Sequence, residues 1–570
     1  MGRPARVLVV GALCIVQLVA ARPARAHDGD LTFRTLVTAH TRVHYPARLR
    51  VFAHRVAETA EEAIQTLQPL FGYRPPRRIE LTIDDYADSA NGFAGSFPFD
   101  HVQIRAWPPA PGSDLADNGD WLRGLVFHEI AHILHLGDTG GLSTVINRVF
   151  GRTWLPNQFL PRFWVEGLAV YAETRYPGRD KAVRGASPAH SRGGRAEAAP
   201  YMAQLRGALR DGTWPKLPQL TGPPLVWPRS SGWYLYGSWL LDYQAGAHGH
   251  KKLKRFIHSY GRRAVPYGIN VLYRRIYGRS ALRMWSDATA ALRRRVALER
   301  RLRRRGLVPP RAASDLPLAV STLGSSAGDG DATRATALPK AVTRLTHDGE
   351  WRGRLRWLPD AAHVVYARAP ADALARIERL NMATGRRDVL WRCEADCDDV
   401  TPSPDGRWLL WVATRPVGRL YQRREIFAAP LVTSPAGVAR LGSPIRLGFG
   451  MRARELALSP SGRWLVWVAV ASDGLTEIRR LDLPATLAAV RRGQAPPRPI
   501  RVIRAPGHDV VLGTPTLDDQ GTLYWTAGAG GRRQIWRQRF GGSWVAQQAP
   551  APLAPRGVVG VAEVVGFTPR

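Results

Sequence analysis

Four stretches in the C-terminal half of this 570-residue chain align with one another, and that repeat restricts the fold more than any other feature. They are LRWLPDAAHVVYARA (355–369), VTPSPDGRWLLWVAT (400–414), LALSPSGRWLVWVAV (456–470) and GTPTLDDQGTLYWTA (513–527). Each places a turn rich in Pro, Asp, Ser and Gly before a run of aromatic and β-branched residues. A second run follows each: ARIERLNMATG, REIFAAPL, EIRRLDLP and RQIWRQRF. Strands and turns recurring at intervals of roughly 45–60 residues predict small antiparallel sheets stacked as the blades of a propeller. Four blades are clear. The chain closes on VVGVAEVVGFTPR, which reads as the opening of another, so the propeller is expected to be small, irregular or incomplete.

Upstream the pattern changes twice. Residues 307–345 are rich in Pro, Gly, Ser and Ala, the composition of a linker. Before them, helical stripes dominate. They run over 47–70, 121–136, 162–176, 201–211, 233–245, 250–260 and 280–303. Alternating runs at 31–45, 78–83 and 101–107 predict a small early sheet. At the N-terminus, Arg3 and Arg6 precede an apolar core from Val7 to Ala21, followed by Ala24-Arg25-Ala26. This is the pattern of a secretory signal peptide cleaved after Ala26. The core is short for a membrane span, and no later stretch is long and apolar enough to be one. The expected organisation is therefore a signal peptide (1–26), a helix-rich domain (27–306), a linker (307–345) and a propeller (346–570), in a protein exported to the periplasm or beyond.

Composition limits the partners. Lys and Arg number 81 against 46 Asp and Glu, a formal charge of +35. The arginines are scattered, which reads as a solvated basic surface, and the export signal argues against a nucleic-acid partner. The one dense run, LRRRVALERRLRRRG (292–306), is of the kind that touches anionic surfaces but is more often a solvated helix end. After signal removal only Cys393 and Cys397 remain, and their closeness in an exported chain predicts a small disulfide-closed loop.

The chemistry concentrates in GLVFHEIAHILHLGD (124–138). His128-Glu129-Ile130-Ala131-His132 is H-E-x-x-H. On a helix its two histidines stand one above the other, so both imidazoles reach one metal at about 2.0–2.1 Å. Glu129, rotated about 100° from His128, is placed to act as a general base on water at the metal. Catalytic zinc takes three protein ligands and keeps one position open. Asp138 is a candidate third ligand, but the glycine turn that would bring it round is missing, since His135 stands there. His135 itself lies too far along the axis and is expected to pack or to hydrogen-bond. Glu166, in FWVEGLAVYAE, is the better candidate; the small Gly167 and Ala169 would let its helix approach closely. Glu173, two turns on, is expected to be structural or to orient a ligand.

Trp164-Val165-Glu166-Gly167-Leu168-Ala169 resembles the W-x-x-E-G-x-A helix of gluzincin (peptidase MA-like) zinc peptidases, with Trp164 two residues before the glutamate where many members have three. The resemblance covers roughly residues 30–300. It implies that His128, His132 and Glu166 bind Zn²⁺, with Glu129 as general base. It further implies that a tyrosine of WYLYGSWLLDYQ steadies the oxyanion; Tyr234 with Gly237 fits the Y-x-x-G spacing, and Tyr236 is the alternative. It also implies that residues 89–109 supply the cleft's edge strand and preceding loop, where an extended peptide substrate could pair. The turns Ser403-Pro404-Asp405-Gly406-Arg407 and Ser459-Pro460-Ser461-Gly462-Arg463 resemble the blades of TolB-type WD40-like propellers. The expected fold is thus an α+β zincin-like metallopeptidase domain followed by an all-β propeller that binds substrate or a protein partner. The rival reading is an inactive envelope scaffold that works through the propeller.

Overall fold

The computed structural model describes residues 31–304 and 351–552, apart from 177–193, 541–550, stretches within 111–119 and 223–230, and the loop positions 371–372, 419, 435–436 and 530–531. The signal-peptide and linker readings and the closing VVGVAEVVGFTPR fall outside the described residues.

The N-terminal body is a five-stranded sheet covered by helices. β1 (Phe33–Val37) and β2 (Thr41–Pro46) form a hairpin, and the sheet runs β1-β2-β3-β5-β4 with β3 (Ile79–Asp84), β4 (Gly92–Gly95) and β5 (His101–Arg105). β2, β3 and β5 are parallel; β4 is antiparallel to β5. Alternation sets one face inward: Ile79, Leu81, Ile83, Val102 and Ile104 are buried, while Thr82 and Gln103 point to solvent. Over the buried face lies α1 (Arg50–Phe71), whose stripe Phe52, Val56, Ala60, Ala63 and Leu67 is buried. One expectation is corrected here. HVQIR is interior, and the sheet's edge is GFAG, four residues of weak strand propensity held in place by pairing with β5.

α2 (Trp121–Leu136) starts where Asp120 accepts hydrogen bonds from the N–H groups of Leu122 and Arg123. α3 (Leu142–Phe150) comes next, in the stretch between the two helices that carry H-E-x-x-H and Glu166. It is followed by α4 (Arg162–Arg175), α5 (Ala199–Arg210), α6 (Ser231–His248), α7 (His250–Gly261), α8 (Ile269–Tyr277) and α9 (Ala281–Arg304). α4 and α6 touch backbone to backbone. A Cβ on Gly237 would lie 1.9 Å from the carbonyl oxygen of Phe163, and one on Gly167 would lie 2.4 Å from the carbonyl carbon of Gly237. Gly167 thus serves this contact.

The second half is a propeller-like set of four antiparallel sheets, one for each repeat. Their central strands are His363–Ala369 with Arg376–Asn381, Trp408–Val417 with Tyr421–Thr433, Trp464–Val470 with Thr476–Asp482, and Thr522–Ala529 with Arg532–Arg539. Both faces of the middle sheets are buried. Leu409 and Trp411 pack with Val365 and Ile377 of the first sheet, while Leu410 and Val412 pack with Leu456, Leu465 and Trp467 of the third. That is why these strands read as unbroken apolar runs. In the turns, Trp408 N–H donates to Ser403 Oγ at 2.9 Å and Trp464 N–H to Ser459 Oγ at 3.2 Å. Gly406 and Gly462 take φ of 70° and 73°, which a side chain would strain. Cys393 and Cys397 form a disulfide between the first two sheets. One more correction concerns α10 (Leu483–Arg491), a helix inside the third sheet's connection, where no helix is expected after residue 346. Asp482 caps it and Pro484 opens it, a local signal that the surrounding strand pattern masks.

The sheets dock on the N-terminal body through the loop after β3. Asp88 N–H donates to the Gln422 carbonyl at 3.0 Å and Gln422 N–H to that of Tyr86 at 2.7 Å. Trp121, at the start of α2, donates its indole N–H to the His508 carbonyl at 3.1 Å.

Candidate metal centre

α2 sets His128 above His132 with ring planes at 90° and centroids 4.7 Å apart. Their Nε2 atoms are 3.2 Å apart. α4 brings in Glu166, whose Oε2 lies 3.4 Å from His128 Nε2 and 3.2 Å from His132 Nε2. These separations test the fit to an ion. Four ligands at 2.0–2.1 Å around a tetrahedral ion stand about 3.3–3.4 Å from one another. The three atoms therefore form one face of such a tetrahedron, and their N,N,O donor set suits zinc. All three residues are buried.

Glu129 is 4% exposed and lies against the sheet edge, where a Cβ on Gly92 would come 2.6 Å from its Oε1. Burial pushes its carboxyl above the usual range, opposed by the charges of His128 and His132. Burial also works against the Glu166 carboxylate, but the charge of His132 and hydrogen bonds from both imidazoles drive it far below the ordinary value. Its second oxygen accepts from Arg162 Nη1 at 3.2 Å.

Behind the ligands lies a support that sequence reading only half sees. Glu173 Oε2 is 3.0 Å from His128 Nδ1. The same Nδ1 lies 2.7 Å from Arg195 Nη2, so it sits between a carboxylate and a guanidinium; when its proton points to Glu173, the Nε2 side of the ring faces the ligand cluster. Glu173 is gripped by Arg195, Nε to Oε1 at 2.9 Å and Nη2 to Oε2 at 2.8 Å, and by the Arg195 N–H. Burial opposes the Glu173 charge, but Arg195 outweighs it and holds the carboxyl down to about 2. For His128, burial and Arg195 disfavour the charged ring, while Glu166 and Glu173 prevail and raise it to about 9. Arg195 carried no sequence signal, because its stretch has no periodicity and its partner lies 22 residues away.

Tyr234 stacks on His128 at 5.8 Å between centroids, and Arg195 lies 5.1 Å over its ring. Tyr236 points elsewhere, edge-on to Trp214 at 5.1 Å. His135 is 1% exposed, packs on Trp164 at 5.5 Å, and neither of its ring nitrogens has a hydrogen-bond partner among the described residues. Burial lowers it to about 3. Asp138 is not among the clustered ligand atoms; it accepts from His258 Nδ1 at 2.5 Å.

No family model matches the chain, and no curated protein matches it. Among solved structures, the chain is similar to TolB proteins. That of Agrobacterium tumefaciens matches at 18% identity over 34% of this chain and 60% of that one, with a TM-score of 0.26. TolB of Acinetobacter baumannii matches at 16% identity over 35% and 42%, with a TM-score of 0.25. A puromycin-hydrolyzing peptidase of Mycobacterium tuberculosis matches at 23% identity over 34% and 27%, with a TM-score of 0.24. The chain thus spans less than two thirds of each. At this level the matches carry no weight for activity, and the propeller-like fold stands on the four sheets themselves. No helix among the described residues is long and apolar enough to cross a membrane.

Proposed function

We propose that the chain is an exported zinc metallopeptidase that hydrolyses peptide bonds at the cluster on α2 and α4. The observation that carries this reading is the face of three ligand atoms, 3.2–3.4 Å apart, with Glu129 buried beside it. His128, His132 and Glu166 would hold the ion. Zinc in such a set supplies Lewis acidity for water activation and carbonyl polarisation.

The chain's own groups do the rest. Glu129 accepts a proton from the attacking water and delivers it to the leaving amine; its raised pKa suits a group that must do both. Burial keeps the Tyr234 phenol protonated, so it donates a hydrogen bond to the developing oxyanion. β4 ends the sheet among the described residues, so its outer edge suits main-chain pairing with an extended peptide beside Glu129. The four sheets would bind substrate or a protein partner. A purely structural metal site has no use for a base, so Glu129 favours the enzyme over a scaffold.

The test is zinc analysis and peptide cleavage by the purified mature chain beside Glu129→Gln. The expected result is one zinc in both proteins, unchanged melting, and cleavage about 10²- to 10⁴-fold slower in the variant. A zinc-loaded wild type as inactive as Glu129→Gln over a broad peptide library would return the chain to the scaffold reading.

A further inference from the structure

α3 is built inside out. Four of its five apolar residues, Leu142, Val145, Val149 and Phe150, face solvent, the last two 69% and 72% exposed, while Ile146 is half-buried. Its inner side is polar. Ser143 is the helix's buried residue and donates to the Arg263 carbonyl at 3.1 Å. Asn147 donates to the Trp154 carbonyl and accepts from the N–H groups of Thr153 and Trp154. Polar contacts thus fix the helix with its apolar face outward, against the rule that an amphipathic helix buries that face.

The patch extends beyond α3. Trp154 donates its indole N–H to the Ala264 carbonyl at 3.1 Å and lies 5.8 Å from the ring of Phe159, which lies 6.4 Å from that of Tyr267. Phe159 and Tyr267 are exposed. Exposed apolar surface gathered in neighbouring segments marks an interaction site. Its charge says with what. Residues 139–165 and 243–286, which build it, contain no aspartate or glutamate. Arg148 on the helix and Arg262, which lies against Gly140 just before it, are exposed.

We propose that α3 and the loops beside it form a membrane-surface anchor that inserts Val149, Phe150, Phe159 and Tyr267 into an anionic bilayer. An outward apolar face with aromatic residues and exposed arginines beside it is what interfacial binding requires. A second copy would set two basic rims against each other, so the charge disfavours self-association. The inference is independent of the peptidase reading.

The experiment is vesicle co-sedimentation of the mature chain, with phosphatidylcholine alone and with phosphatidylcholine mixed with phosphatidylglycerol. The expected result is binding to the anionic vesicles that weakens with salt. The double variant Val149→Asp/Phe150→Asp abolishes it, and Arg148→Glu or Arg262→Glu weakens it about fivefold each. These side chains are exposed, so melting should not move; a variant that melts early is replaced by Val145→Ser/Val149→Ser. Vesicle binding absent in the wild type, or untouched by the substitutions, overturns the proposal. So does a dimer, or a complex with an acidic protein, that the same substitutions disperse while vesicle binding persists.

Discussion

Two clusters of buried charge hold the key positions of this molecule, and they are built on opposite terms. At the junction with the sheets, Asp85 and Asp88 meet Arg452, Arg423 and Arg48. Arg452 binds Asp85 through both Nη atoms, at 2.5 and 3.0 Å, and Asp88 through Nε at 3.1 Å. Arg423 adds a bond to Asp88 at 2.8 Å, and Arg48 one to Asp85 at 3.1 Å. Every carboxylate there has more than one guanidinium, and the cluster is satisfied by the protein alone. At the α2–α4 site, two imidazole nitrogens and a carboxylate oxygen converge within 3.4 Å. The imidazoles donate to Glu166 only while they carry protons on Nε2; without those protons the three atoms are all acceptors, so the cluster needs a proton or a metal ion among them. The first arrangement holds two bodies together. The second leaves a place for a cation.

The sharpest way to break this comparison is at the junction. Arg452→Met leaves Asp85 and Asp88 buried with fewer partners, and breaking a buried pair costs about 3–5 kcal/mol. Denaturant unfolding should read that loss, with zinc affinity unchanged. A cost under about 1 kcal/mol would show that Arg423 and Arg48 carry the junction alone, and the contrast with the metal centre would lose its basis.

The next effect is expected behind the ligands. Glu173→Gln removes the charge that orients His128, and loss of such a partner typically lowers metal affinity 10- to 100-fold. Chelator competition measures it. Arg195→Met should move affinity the same way, because Arg195 holds Glu173 in place and its Nη2 also lies 2.7 Å from His128 Nδ1. Unchanged affinity in both would mean that His128 is set by packing on Tyr234, and that Glu173 and Arg195 are as self-contained as the junction.

What could be read from the sequence follows the same divide. His128, Glu129 and His132 are legible because a helix converts spacing into direction, and Glu166 because it sits in a second helical stripe. The blades are legible because their turns recur. The junction is not, since Asp85 and Arg452 meet across 367 residues with no periodicity to announce them. Arg195 is hidden for the same reason. GFAG as edge strand is hidden because its pairing, not its composition, makes it a strand. α3 is a helix that the sequence reading passes over, and only the anchoring of Ser143 and Asn147 reveals which way it faces.

The last contrast is a pH response, and its sign differs between the two regions. His508 sits at the junction, its ring 5.1 Å from that of Phe52 and its Nε2 2.9 Å from the Asp473 carbonyl. Burial, with the Arg55 charge, pulls it below the ordinary 6.5 despite that hydrogen bond. Below pH 6.5 the unfolded chain then binds more protons than the folded one. The neutral ring's contribution is full above that pH and is lost as pH falls through the folded value. His128 in chelator-treated protein works the other way. Raised to about 9, it contributes fully below 6.5 and loses that contribution as pH rises through 9. Unfolding midpoints from about pH 5 to about pH 9, with His508→Gln and His128→Gln as references, separate the two. His508→Gln should flatten the acid limb and His128→Gln the alkaline limb. Zinc should abolish the alkaline limb only, because the ion takes the place of the proton at His128. An alkaline limb that survives zinc would mean that His128 does not bind it.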